Sequence, residues 1–179
     1  MARTDLDKID LLVVDVDGVL TDGRIILTPT GEEIKAFHVR DGSGMKYWKR
    51  VGKKLAIISG RSSQAVMLRA KELDVDAVRV GAKDKLPVYM QVLDDLGVSS
   101  ERTAVIGDDL PDLPMMRECG FAVAVADGSE EVRQAADYVT KTAGGQGCVR
   151  ETIEFLLKSS GLWRTVMERY LQGQGRQEP

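Results

Sequence analysis

Three short stretches of this chain carry side chains suited to handling a phosphoryl group. The first is Asp15-Val16-Asp17-Gly18-Val19-Leu20-Thr21-Asp22-Gly23, the second Ser59-Gly60-Arg61, and the third Gly107-Asp108-Asp109-Leu110-Pro111-Asp112. Each follows directly on a run, wholly or largely apolar, at residues 11–14, 55–58 and 103–106. Continuous apolar runs of that length read as strands buried on both faces. Ligands of an open parallel sheet collect at the carboxyl ends of its strands, so folding is expected to bring Asp15, Asp17, Asp108 and Asp109 together. Such a cluster is unstable by itself. Two carboxylates about 4 Å apart repel by roughly 4 kcal/mol at an effective dielectric near 20. A cation relieves that repulsion, and oxygen ligands without His or Cys favour Mg2+, which also takes substrate phosphate oxygens as ligands. One such Asp is commonly a mere cap on the next helix or turn. Three strand ends delivering Asp or Ser to one edge read as a site.

The elements that must position these residues alternate along the chain. Shorter apolar runs at 77–80 and 121–125 add two strands, and helical stretches fall at roughly 43–52, 62–74, 84–97, 111–118, 129–136 and 148–158. Strands alternating with such helices imply right-handed crossovers, hence an α/β, Rossmann-like parallel sheet between helix layers. One segment breaks the alternation. Residues 24–28 and 34–39 flank Pro29-Thr30-Gly31-Glu32-Glu33 and predict a protruding β-hairpin flap over about 24–39. The 179 residues, 43% hydrophobic and 30% charged, predict one domain over 1–171 and a polar tail at 172–179. A net charge of −3 provides no basic field, so no nucleic-acid partner is expected. No apolar run approaches the ~20 residues of a membrane span. The opening MARTDLDKID lacks an apolar signal core, which predicts a cytoplasmic protein. Cys119 and Cys148, without CxxC spacing, read as reduced thiols.

DVDGVLTDG, the later Ser-Gly-Arg, a Lys opening an amphipathic helix, and GDDLPD resemble the four motifs of the haloacid-dehalogenase-like phosphatases. The resemblance runs from about residue 10 to 155. FHVRDGSG at 37–44 and GGQGCVRE at 144–151 narrow it to the capless 3-deoxy-D-manno-octulosonate 8-phosphate (KDO 8-phosphate) phosphatases of lipopolysaccharide synthesis. The resemblance implies a Mg2+-dependent phosphatase in which Asp15 attacks phosphorus and forms an aspartyl-phosphate. Asp17 then acts as general acid and base, its backbone carbonyl also ligating the metal. Asp108 completes the protein ligands, with Asp109 in or near that shell. Lys85 neutralises phosphoryl charge, while Ser59 and the Gly60 amide hold a phosphate oxygen. Lys85 is preferred to Lys83 because Leu86 follows it, as in the family.

For the sugar, the resemblance implies a wall formed by His38, Val39, Arg40, Asp41 and Gly42, with Lys46 and Arg61 nearby. The lone His38 is otherwise a strand-end hydrogen bond. Arg69 falls beside the apolar stripe of its helix and needs an anionic partner or must reach back to water. The resemblance supplies the partner, a substrate carboxylate, reached across a subunit boundary. Only 44 positions separate Asp15 from Ser59 and 26 separate Ser59 from Lys85, so no cap domain fits. A cap's place would be taken by another copy of the chain. The resemblance implies a homotetramer in which the hairpins pack together, and the apolar Ile25, Ile26 and Leu27 agree with that. Two other readings are weighed. A related nonulosonate 9-phosphate phosphatase shares the fold but tends to carry Glu where this chain has Arg61. A receiver-type signalling module has its phosphoacceptor on a central strand and no late GDDxxD.

Overall fold

The apolar runs become the strands of one parallel sheet. The structure, a computed structural model, describes residues 6–171, so the expected tail at 172–179 lies outside the described residues. The strands are β1 (Leu11–Val14), β4 (Lys54–Ile58), β5 (Ala77–Arg79), β6 (Thr103–Gly107), β7 (Phe121–Ala124) and β8 (Tyr138–Val139), in the order β5-β4-β1-β6-β7-β8. All five pairings are parallel. The chain runs outward from β1 to one edge, returns, and runs outward from β6 to the other. The switch point therefore lies between β1 and β6, where the ends of adjacent strands open a crevice.

Alternation along β1 divides the core into two layers. Leu12 and Val14 face the layer of α1 (Val39–Arg50), α2 (Gln64–Glu72), α6 (Cys148–Ser159) and α7 (Trp163–Leu171), represented by Met45, Trp48, Val66, Ile153 and Val166. Leu11 and Val13 face α3 (Lys85–Leu96), α4 (Leu113–Glu118) and α5 (Glu130–Ala135), represented by Tyr89, Val92, Met115 and Val132. Both faces are covered, which is why the strands are apolar throughout. The architecture is the expected parallel sheet between helix layers, and among the described residues there is no cap domain.

Three elements differ from expectation. The hairpin strands are only two residues each, β2 (Ile26–Leu27) and β3 (Glu33–Ile34), closed by a turn in which Gly31 takes φ +84°. The helix after them starts at Val39 rather than 43, so His38 is its N-terminal cap instead of a strand end. Gly42 and Gly44 lower intrinsic helicity there, but packing overrides it: Asp41 is buried and accepts from the Arg150 amide of α6 at 2.7 Å. Finally, β8 is a two-residue strand, too short to show a period in the sequence.

Candidate active site

Asp15 leaves the end of β1 in extended conformation, and the chain then turns through the irregular segment Val16–Leu20. Gly18 sits at φ +93°, and a Cβ there would overlap the Asp108 carboxylate, so this position requires glycine. Beyond β4, the Ser59 hydroxyl accepts from the Arg61 amide at 3.2 Å. Lys85 is the first residue of α3, which Asp84 caps by accepting from Leu86 N at 3.3 Å. Beyond β6, Asp112 accepts through Oδ2 from the amides of Asp108 at 3.1 Å and Asp109 at 3.4 Å.

These strand ends surround one cleft of about 450 Å³, lined by Asp15, Asp17, Ser59, Gly60, Arg61, Lys83, Lys85, Asp108, Asp109 and Asp112, among others. Lys85 is buried at 5% side-chain exposure and donates at 2.6 Å to both Asp15 Oδ1 and Asp112 Oδ1. Lys83 is exposed at the rim. Carboxylate oxygens of Asp15, Asp108 and Asp112 lie within 4.8 Å of one another. Burial, then repulsion from Asp15 and Asp112, pushes the Asp108 carboxyl up to about 8. Burial, then repulsion from Asp112, pushes Asp15 up to about 6, against the pull of Lys85. For Lys85 itself, burial lowers the value, but Asp15 and Asp112 outweigh it and the net shift is upward.

The residues expected from sequence divide into two groups. Asp15, Asp17, Ser59, Gly60, Arg61, Lys85, Asp108 and Asp109 share the cleft. The Asp109 carboxylate, however, lies outside the three-acid cluster. It caps the turn Leu110–Asp112, reciprocally with Asp112. Arg61 reaches Glu33 at 3.4 Å and lies 3.9 Å from Asp17. The other expected sugar contacts, His38 to Gly42, Lys46 and Arg69, are not among this cleft's lining residues. Arg40 lines a groove with Gln146 and Arg150, and Val39 and Arg69 line another with Phe37 and Leu68. Arg69 pairs with Glu72 at 2.7 Å and packs over Phe37 and Gly42. His38 Nδ1 and Asp41 Oδ2 are buried without partners among the described residues, and Lys46 is exposed on α1. Sequence reasoning missed the role of Asp112 and the charges of Glu33 and Lys35. The only signal for Asp112 was its place at the end of GDDLPD.

A family model for haloacid dehalogenase-like hydrolases matches residues 79–151. The 3-deoxy-D-manno-octulosonate 8-phosphate phosphatase KdsC of Escherichia coli K12 is 43% identical over 155 residues, covering 87% of this chain and 82% of that protein. The chain belongs to this phosphatase family. The Moraxella catarrhalis enzyme of this family, solved with a magnesium ion, a phosphate ion and a KDO molecule, matches at TM-score 0.89 and 43% identity, over 92% of this chain and 95% of that one. The cobalt-bound Haemophilus influenzae enzyme matches at TM-score 0.85 and 40% identity, over 87% of this chain and 91% of that one.

The residues present fit a hard divalent cation, because the potential metal ligands that converge at the cleft floor, among the described residues, are all carboxylates. Both oxygens of Asp112 are engaged, one by Lys85 and the other by two amides. Asp15 and Asp108 are therefore the better donors.

Proposed function

We propose that the chain hydrolyses 3-deoxy-D-manno-octulosonate 8-phosphate to 3-deoxy-D-manno-octulosonate and phosphate, with Mg2+, in lipopolysaccharide synthesis. The observation that carries this reading is the convergence of Asp15, Asp17, Ser59, Lys85 and Asp108, from four separate strand ends, on one cleft. Asp15 attacks phosphorus as the bond to the sugar oxygen breaks, giving an aspartyl-phosphate. Asp17 hands a proton to the departing alkoxide, then takes one from the water that hydrolyses the acyl phosphate. Lys85, already paired with Asp15, holds positive charge beside the transferring group. Ser59 and the Gly60 amide hold a phosphate oxygen. Asp15, Asp108 and the Asp17 carbonyl would hold Mg2+, which supplies charge to the phosphoryl oxygens in the transition state.

Arg61 is the specificity element of this reading. It is half-exposed at the cleft, and a guanidinium there suits an anionic, hydroxylated substrate. Assembly as a homotetramer supplies the sugar wall. Ile25, Ile26, Leu27 and Ile34 on the hairpin, with Val39 and Leu68, are exposed apolar side chains that a second copy would cover, bringing Arg69 and the 38–42 segment toward a neighbour's site. Two free cysteines and the lack, among the described residues, of a helix long and apolar enough to cross a membrane support a cytoplasmic location. The test is phosphate release over a panel of sugar-acid phosphates and an aryl phosphate. The octulosonate 8-phosphate should give the highest kcat/KM and Asp15→Asn should abolish release. Preference for a nine-carbon sugar acid phosphate overturns the substrate, and activity in Asp15→Asn overturns the mechanism.

A further inference from the structure

The hairpin sets a charge against Asp17 of the cleft for which the reaction described above has no use. Glu33 and Lys35 stand two residues apart on one side of the extended chain, while Ile34 between them is 51% exposed on the other. The Lys35 side chain is only 1% exposed. Its ammonium donates to Asp17 Oδ1 and lies 3.0 Å from Glu33 Oε1. Asp17 Oδ2 has Arg61 Nε at 3.9 Å, beyond hydrogen-bond reach. Arg61 also donates to Glu33 at 3.4 Å. Two acids and two bases thus close a charge-balanced ring at the mouth of the site. Arg61, 52% exposed, is the member free to turn toward a substrate.

We propose that Lys35 is a positioning residue that anchors Oδ1 of Asp17 to the hairpin and so aims Oδ2 at the leaving oxygen. This rests on the reading of Asp17 as the proton carrier. A short carboxylate with one oxygen tied has little rotational freedom left, and proton transfer needs its free oxygen within about 2.6–3.2 Å of the departing one. An error near 1 Å at such a group lowers rates by about 10²-fold. A buried ammonium must keep its partners, so Lys35 stays in place when Arg61 leaves the ring, with Glu33 as its second anchor. As the phosphorus–alkoxide bond breaks and the phosphorus–Asp15 bond forms, the proton on Oδ2 passes to the alkoxide.

The experiment compares kcat/KM for an alkyl sugar phosphate and a nitrophenyl phosphate, whose leaving group departs without a proton. Lys35→Met should lower the sugar phosphate value by about 10²-fold through kcat, leave its KM within about threefold, and lower the nitrophenyl value far less. Lys35→Arg should restore most of the loss. Glu33→Gln, which keeps the Lys35–Asp17 contact, should show the same pattern more weakly and serves if Lys35→Met does not fold. Equal losses on both substrates, or a loss confined to KM, overturn the proposal. Asp17→Asn is measured alongside. A leaving-group-dependent loss there with a uniform loss in Lys35→Met sinks the role of Lys35 alone, whereas a uniform loss in Asp17→Asn sinks both assignments.

Discussion

Asp112→Asn separates what the buried acids do for folding from what they do for catalysis. Asp112 is almost wholly buried between Lys85, at 2.6 Å, and the carboxylates of Asp15 and Asp108. An amide of the same shape can still accept from the Asp108 and Asp109 amides with its oxygen, which turns its NH2 toward Lys85. The variant loses an attraction to Lys85 and the repulsions from Asp15 and Asp108, which oppose one another and are of order 4 kcal/mol per pair at about 4 Å and an effective dielectric near 20. The new NH2 faces the Lys85 ammonium, donor to donor, so stability should fall by about 1–3 kcal/mol, the cost of a buried donor left unsatisfied. Catalysis is affected separately. Lys85 loses one of two charge-assisted hydrogen bonds and is drawn onto Asp15, the group that must attack. A charge-assisted bond worth about 1.5–3 kcal/mol corresponds to a fall in kcat/KM of about 10–150-fold. Steady-state phosphate release over a Mg2+ titration, with urea melts on the same samples, is the assay. The Mg2+ half-saturation point should stay within about threefold of wild type, while Asp108→Ala should lose its response to Mg2+. A Mg2+ requirement in Asp112→Asn raised as steeply as in Asp108→Ala would refute the reasoning and make Asp112 a ligand. Wild-type kcat/KM would refute the part assigned to Lys85.

Gly18→Ala places a methyl group against the Asp108 carboxylate at a left-handed backbone position; phosphate release should fall by roughly 10²-fold, the scale of a 1 Å displacement, and a normal rate would show that the two motif loops can separate freely. Glu151 joins α6 to the loop after β8, accepting from Lys141 N at 2.8 Å, Thr142 N at 3.0 Å, Thr142 Oγ1 at 2.5 Å and Tyr138 Oη at 2.8 Å. Burial raises its carboxyl value, but the Lys141, Thr142 and Tyr138 donors outweigh it and the net shift is downward. A depressed folded-state value adds stability that is complete above the ordinary carboxyl value and lost as pH falls through the folded one, so Glu151→Gln should destabilise by about 1.5–3 kcal/mol at neutral pH, less below about pH 4. Urea melts at the two pH values check this, and an equal deficit at both would contradict it. Leu27→Asp with Ile34→Asp puts charge on the exposed hairpin face; light scattering should show smaller assemblies than wild type, and an unchanged mass would remove that face from assembly.

Much of the catalytic floor was determined by sequence alone, because local pattern carries it. A buried strand must be apolar on both faces, so its end is marked where the apolar run meets Asp15, Ser59 or Asp108. Parallel strands then deliver all their carboxyl ends to one edge, whatever the order of the sheet. Lys85 was legible through the family resemblance, as a Lys opening a helix with Leu86 after it; the structure adds Asp84 as the cap of that helix. Residues whose roles depend on pairing across the fold were not legible. Asp112 lies 27 positions from Lys85, and nothing local distinguishes it from Asp109, which spends its carboxylate on a turn. Lys35, inside an apolar hairpin, has the pattern of a solvated charge until the chain folds it onto Asp17. The helix start at Val39 was set by the buried Asp41 meeting α6, against the preference of two glycines. Periodicity records which face of an element is apolar; it does not record which side chains meet across the interior, and those distances decide how the charges of this cleft are shared.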